Sequence, residues 1–166
     1  MRGAGSSEWY GVVSIRNPKS EIPNPLDGSN APKSPPPLRI FVVENHKDTL
    51  LWLTRYLEMM GHTVLSARTM REALEGLPKA GCDVLISDIG LPDGDGWELL
   101  RTVRLAHPVY AVAMSGFGMS SDRAKSVAAG YRHHILKPFD PSALDAILEE
   151  AARETGNSGA PQGTGS

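Results

Sequence analysis

The sequence predicts an α/β protein: a doubly wound, five-stranded parallel sheet with helices on both faces. Two observations carry this. Short runs rich in Val, Ile and Leu alternate five times with longer segments whose apolar residues recur at helical spacing. Each return from strand to strand then passes through a helix, and right-handed crossovers distribute those helices over both sides of a parallel sheet. A third observation concerns where the strand-like runs stop. Polar side chains stand just past four of the five, at the edge where open parallel sheets bind ligands.

Residues 38–43 form the first strand, an apolar run that ends at Glu44. Residues 46–60 carry Leu50, Leu53, Leu57 and Met60 on one helical face, with Gly61 as the stop. Residues 63–67 are a short strand that ends in Ala67. Residues 69–79 are helical, and Thr69 with Glu72 three positions on has the pattern of a capping box. Residues 83–87 are β-branched and apolar throughout most of their length, the mark of a fully buried central strand. A Gly- and Pro-rich turn follows, and Trp97, Leu100, Val103 and Arg104 then line a helix expected to end near His107-Pro108. Residues 109–114 are the fourth strand. Residues 120–129 are a helix closed by Gly130, and residues 132–136 are the fifth strand. Asp140-Pro141 opens the last helix, with Leu144, Ile147, Leu148 and Ala151 on one face.

At 166 residues the chain is one domain with tails, and at 40% hydrophobic it can fill a core. The domain is expected over residues 38–154. Residues 1–37 hold seven of the thirteen prolines and much Gly, Ser and Asn, so they read as a disordered or extended arm. Trp9, Tyr10, Val12, Val13 and Ile15 form an apolar island within it, either a nonspecific patch or a docking peptide or added edge strand. Residues 155–166 read as a flexible tail. A net charge of −2 gives no reason to expect nucleic acid or membrane binding. One cysteine, Cys82, cannot build a disulfide framework and fits a reducing compartment. No apolar run approaches the roughly 20 residues of a membrane span, and the N-terminus lacks a signal-peptide core. These features lead to an expectation of a soluble, cytoplasmic protein. Nothing after residue 154 reads as a second folded segment, so direct DNA binding is not expected.

The polar residues at the strand ends form a constellation. Glu44 and Asn45 follow the first strand, Asp88 the third, Ser115 the fourth and Lys137 the fifth. They are remote in sequence, and only the fold gathers them. Asp88 is the central member, expected to face water rather than core. Asp93 and Asp95 look like a calcium-loop fragment, but the further ligands of that loop are missing, so they are taken as turn and cap residues. His133 and His134 are strand neighbours, so they point to opposite faces and do not make a joint metal site.

Asp88-Ile89-Gly90-Leu91-Pro92 with Gly96, then Ser115-Gly116, then Lys137-Pro138-Phe139, resemble the motifs of the receiver domain of two-component response regulators. Glu44-Asn45 stands where that family carries an acidic pair. The resemblance spans residues 38–154 and implies a flavodoxin-like strand order, 2-1-3-4-5. It implies that Asp88 accepts a phosphoryl group from a sensor histidine kinase or phosphotransfer protein. It implies Mg²⁺ held by Asp88, Asn45, the backbone carbonyl of Gly90 and Glu44, the last directly or through water. Lys137 would pair with Asp88 and then with the phosphoryl group, Ser115 would hydrogen-bond a phosphoryl oxygen, Pro138 would follow a cis peptide bond, and His134 would stand at the position of the family's aromatic switch. A downstream protein target is implied, with homodimerisation through the fourth-helix, fifth-strand and fifth-helix face as a family habit. The implied role is a stand-alone receiver that signals by phosphorylation-dependent protein binding or phosphorelay, with no turnover of an external substrate. Asn45 departs from the acidic pair. It keeps an oxygen but loses a charge, which weakens Mg²⁺ binding and leaves open a second role, a pseudo-receiver that binds partners without phosphorylation.

Overall fold

A computed structural model describes residues 36–116 and 120–158. The expectations for the proline-rich arm through residue 35, including Trp9 to Ile15, and for the tail after Ser158 lie outside these residues. The main sheet has strands β1 (Arg39–Val43), β2 (Thr63–Ala67), β3 (Val84–Asp88), β4 (Tyr110–Ser115) and β5 (His133–Leu136). They pair in parallel in the order 2-1-3-4-5. The helices are α1 (Lys47–Met59), α2 (Met70–Ala80), α3 (Gly96–Thr102), α4 (Ser120–Ala129) and α5 (Pro141–Ser158). The doubly wound fold is therefore the one the alternation implies.

Strand periodicity sorts the core into two layers. Ile40, Val42, Val84, Ile86, Val112 and Met114 face one side, against Leu53 and Leu57 of α1 and Leu144 and Leu148 of α5. Phe41, Val43, Leu85, Ala111 and Ala113 face the other, against Ala73 and Leu77 of α2, Leu99 of α3 and Ala129 of α4. Successive strand residues point to opposite faces, so a run that is apolar throughout must be covered on both. Adding Cβ atoms at the helix stops Gly61 and Gly130 would strain the backbone, since both sit at positive φ (95° and 108°).

Three local expectations need correction. The helix after the turn that follows β3 ends at Thr102, not near His107, because Val103 turns to extended backbone. Val103 and Leu105 still pack on the α2–α3–α4 side, so their apolar character reflects a tucked loop rather than another helical turn. The Thr69–Glu72 box is half formed. Thr69 Oγ1 accepts from the Glu72 amide (3.1 Å), but the Glu72 carboxylate takes the Arg68 amide rather than that of Thr69. The last helix continues through Ser158, four residues beyond the expected boundary at 154. Asp95 caps α3 through the Glu98 amide (2.7 Å), and Asp93 accepts the Met70 and Arg71 amides at the start of α2. Both therefore act as turn and cap residues. No described helix is long and apolar enough to cross a membrane.

Candidate functional site

The carboxyl ends of β3, β4 and β5 deliver Asp88, Ser115 and Lys137 to one cleft of about 500 Å³, which Gly90 also lines, and the end of β1 leads into the buried Glu44. Residues 90 and 91 pair antiparallel with 94 and 95, a two-residue ribbon that closes the turn after β3. This ribbon brings the start of α3 back against the end of β3, where the Gly96 amide donates to the Ile89 carbonyl (2.9 Å). A Cβ on Gly96 would stand 2.6 Å from the Asp88 carbonyl oxygen, so the close approach requires glycine here.

Asp88 is the last residue of β3, and it is only 6% exposed. The expectation that it faces water is thus too simple. Its carboxylate lines the cleft but is largely withdrawn from bulk solvent. Its Oδ1 accepts the Gly90 amide (3.2 Å) and its Oδ2 accepts from Lys137 Nζ (3.0 Å). Lys137 also donates to Oε2 of Glu44, a residue with 0% exposure. Two carboxylates thus share one ammonium group. The Lys137 amide donates to the Ser115 carbonyl (2.8 Å), which ties β5 to β4 at the site, and the Lys137–Pro138 bond is cis.

The charges distribute unevenly. Burial pushes the Asp88 carboxyl above its ordinary value, and the Glu44 charge adds to this against the pull of Lys137. Burial alone would raise Glu44 as well, but hydrogen bonds from Lys137 and from the His46 amide outweigh it and hold Glu44 low. Burial works against the charged form of Lys137, yet its bonds to Glu44 and Asp88 prevail and raise its pKa. Glu44 is therefore the settled partner of Lys137, and Asp88 is the carboxylate left in tension.

Ser115 is buried, and its Oγ lies 2.8 Å from His134 Nε2. On the other side of the ring, His134 Nδ1 lies 2.8 Å from Ser126 Oγ, which accepts from Trp97 Nε1 (2.9 Å). An indole can only donate, so Ser126 Oγ accepts from Trp97, and the direction of the two serine contacts of His134 follows its tautomer. Burial, with Arg123 adding to it, lowers the His134 pKa and favours the neutral ring. His134 is thus wired to the site. Its neighbour His133 turns instead to the Tyr110 hydroxyl (2.7 Å) and to Glu150.

A divalent cation fits the donor set. Glu44 and Asp88 supply carboxylates, and Asn45 supplies an amide oxygen that is buried without a hydrogen-bond partner among the described residues. Such an oxygen is costly to leave bare, and a bound cation would satisfy it. Sequence reasoning took His46 only as a helix start. The structure places it beside Glu44 and in the lining of the cleft, together with Trp97, Thr49 and Asp122. The signal for His46 was its position directly after Glu44-Asn45. Trp97 and Ser126 carried none, because their bond spans 29 residues between two helices.

Comparisons with known proteins agree with this geometry. The model of the response regulator receiver domain matches residues 40–149. The KDP operon transcriptional regulatory protein KdpE of Escherichia coli is 32% identical over 74% of this chain and 54% of its own length. The transcriptional regulatory protein HprR of the same organism is 27% identical over 70% of this chain and 52% of its own. The chain therefore spans about half the length of these two curated relatives. Among solved structures, a CheY-like response regulator receiver domain protein from Methanospirillum hungatei JF-1 superposes with a TM-score of 0.69 at 27% identity, covering 74% of this chain and 99% of that one. The chain belongs to the response regulator receiver family of two-component signalling.

Proposed function

We propose that Asp88 accepts a phosphoryl group from the phosphohistidine of a sensor histidine kinase or phosphotransfer protein. The observation that carries this is the bridge from Lys137 to both Asp88 and Glu44. It holds an otherwise repelling carboxylate pair together, and it stands ready to neutralise charge on an incoming group. In the transfer, an Asp88 carboxylate oxygen forms a bond to phosphorus while the phosphorus–nitrogen bond breaks, and its electron pair leaves with the donor imidazole. A divalent cation, Mg²⁺ in the family, would supply charge neutralisation when bound. Asp88, Asn45, the Gly90 carbonyl and Glu44 are the residues that would hold it. Lys137 shifts from Asp88 to the bound phosphoryl group as a compact point charge. Ser115 turns its hydroxyl proton to a phosphoryl oxygen, and its oxygen then accepts from the Nε2–H of His134.

The signal leaves through His134. Movement of Ser115 toward a bound phosphoryl group pulls on His134, Ser126 and Trp97, and so on β5, α4 and α3. The surface of α4, β5 and α5, where Val127 and Leu136 are exposed, is the face we assign to a protein target or a second copy. Onward transfer in a phosphorelay uses the same Asp88 chemistry. A second role, binding without phosphorylation, is favoured by Asn45, which removes one charge from the cation site. Intact mass after incubation of the full chain with acetyl phosphate and Mg²⁺ separates the two. The mass of one phosphoryl group gained by the parent and not by Asp88→Asn supports transfer. An unchanged parent mass rejects it and leaves the pseudo-receiver.

A further inference from the structure

We propose that His46 supplies a nitrogen ligand to the cation site, so that this receiver favours a transition-metal ion of the Co²⁺ and Zn²⁺ type over Mg²⁺. The inference deepens the site of the proposed function and rests on that reading for its location.

Three observations converge. Potential ligand atoms of Glu44, His46 and Asp88 all lie within 4.8 Å of one another. The acidic residue expected at position 45 is an amide, so the carboxylates number two and Lys137 already offsets one of their charges. The Asn45 side-chain oxygen, between Glu44 and His46 in sequence, is buried without a hydrogen-bond partner among the described residues, a group that a cation would satisfy.

His46 is held where this calls for it. Its backbone amide donates to Glu44 Oε1 (3.0 Å), and its Nδ1 lies 3.3 Å from the same oxygen. The backbone bond anchors the residue over the carboxylate. Its side chain is 72% exposed, so the ring is free to turn. Ligands about 2.0–2.2 Å from a tetrahedral Zn²⁺ stand roughly 3.3–3.6 Å apart. About 1 Å of movement therefore closes the set, within reach of a rotation of the exposed His46 ring.

Chemistry decides the ion. Mg²⁺ demands hard oxygen ligands in a near-ideal octahedron and gains little from an imidazole. Nitrogen-accepting ions gain a strong bond, and neutral imidazole adds it without further charge. Loss of an acidic ligand weakens Mg²⁺ most, because that interaction is chiefly electrostatic. The histidine compensates only for ions that accept nitrogen. Sequence alone gives the Asn45 departure, and the structure adds the residue that answers it.

The test is equilibrium binding to the full chain with no phosphoryl donor present, by calorimetric titration with MgCl₂, CoCl₂ and ZnCl₂. The parent, His46→Ala and Asp88→Asn are compared, and the visible absorption of bound Co²⁺ is read in parallel. His46→Ala should weaken Co²⁺ and Zn²⁺ by about tenfold or more and change Mg²⁺ by less than about twofold. The Co²⁺ spectrum should shift in the same variant, and Asp88→Asn should weaken every ion. Equal changes for Co²⁺ and Mg²⁺, or no change for either, overturn the assignment of His46. Because 72% of its side chain is exposed, the alanine variant should keep the parent's thermal midpoint. Phosphoryl transfer is judged separately by mass, so the two claims fail independently.

Discussion

Replacing Lys137 with Met removes the one cation between Asp88 and Glu44 while keeping much of the side-chain volume. The carboxylates it leaves behind are 8% and 0% exposed, whereas Lys137 itself is 21% exposed. Removing one partner of a buried pair costs about 3–5 kcal/mol. Partial exposure of Lys137 and the capacity of Asp88 to take up a proton bring the expected loss to about 2 kcal/mol near pH 8. For a domain of this size that corresponds to a drop of about 6–10 °C in thermal midpoint. The pH dependence carries the sharper test. The Asp88 pKa is raised in the folded state, so its contribution is most favourable below the unfolded value near 3.9 and is lost as pH rises through the folded value. Without Lys137 the rise is larger. Glu44, held low in the parent, loses its main support in the variant. The stability gap between parent and variant should therefore be widest at pH 8 and close as pH falls toward 4. Calorimetric melting of both proteins across that range is the assay. A gap that stays constant with pH, or no gap at pH 8, would refute the shared-ammonium arrangement.

Other perturbations have defined outcomes. Asn45→Asp restores a charge at the cation site and should raise Mg²⁺ affinity about tenfold in calorimetric titration, with faster labelling by acetyl phosphate. Gly96→Ala puts a methyl 2.6 Å from the Asp88 carbonyl oxygen, so chemical denaturation should show a loss of about 1–3 kcal/mol, and labelling at Asp88 should slow. His134→Ala strips a partner from Ser126, which is 1% exposed, and should cost about 1–2 kcal/mol. In the same variant, Trp97 fluorescence should no longer respond to a phosphoryl analogue. An unaltered response would remove His134 from the signalling path.

The sheet and its layers were legible because each strand obeys one simple physical rule. A run such as Ile40 to Val43 is apolar at both parities only if helices cover both faces, and both faces are covered. The strand-end residues were legible for a related reason: a polar group directly after a buried run has only the sheet edge to occupy. Position, however, says little about environment. The pairing of Lys137 with Asp88 is expected, but nothing near Asp88 in sequence reveals that Lys137, 49 residues away, is shared with Glu44. The wiring of His134 escaped for the same reason, since Ser115, Ser126 and Trp97 meet it from separate elements. The misplaced end of α3 shows the opposite failure. Val103 and Leu105 continue the apolar pattern because a loop buries them, and periodicity alone cannot separate a packed loop from a helical turn.

The most direct test is to locate the phosphoryl group. After acetyl phosphate treatment with Mg²⁺ or Mn²⁺, borohydride reduction converts an acyl phosphate on aspartate to homoserine, which peptide sequencing places along the chain. Homoserine at position 88, absent without the divalent ion and absent in Lys137→Met treated alike, is the expected result. Homoserine at any other aspartate, or none in the parent with either ion, would contradict phosphoryl capture by this carboxylate.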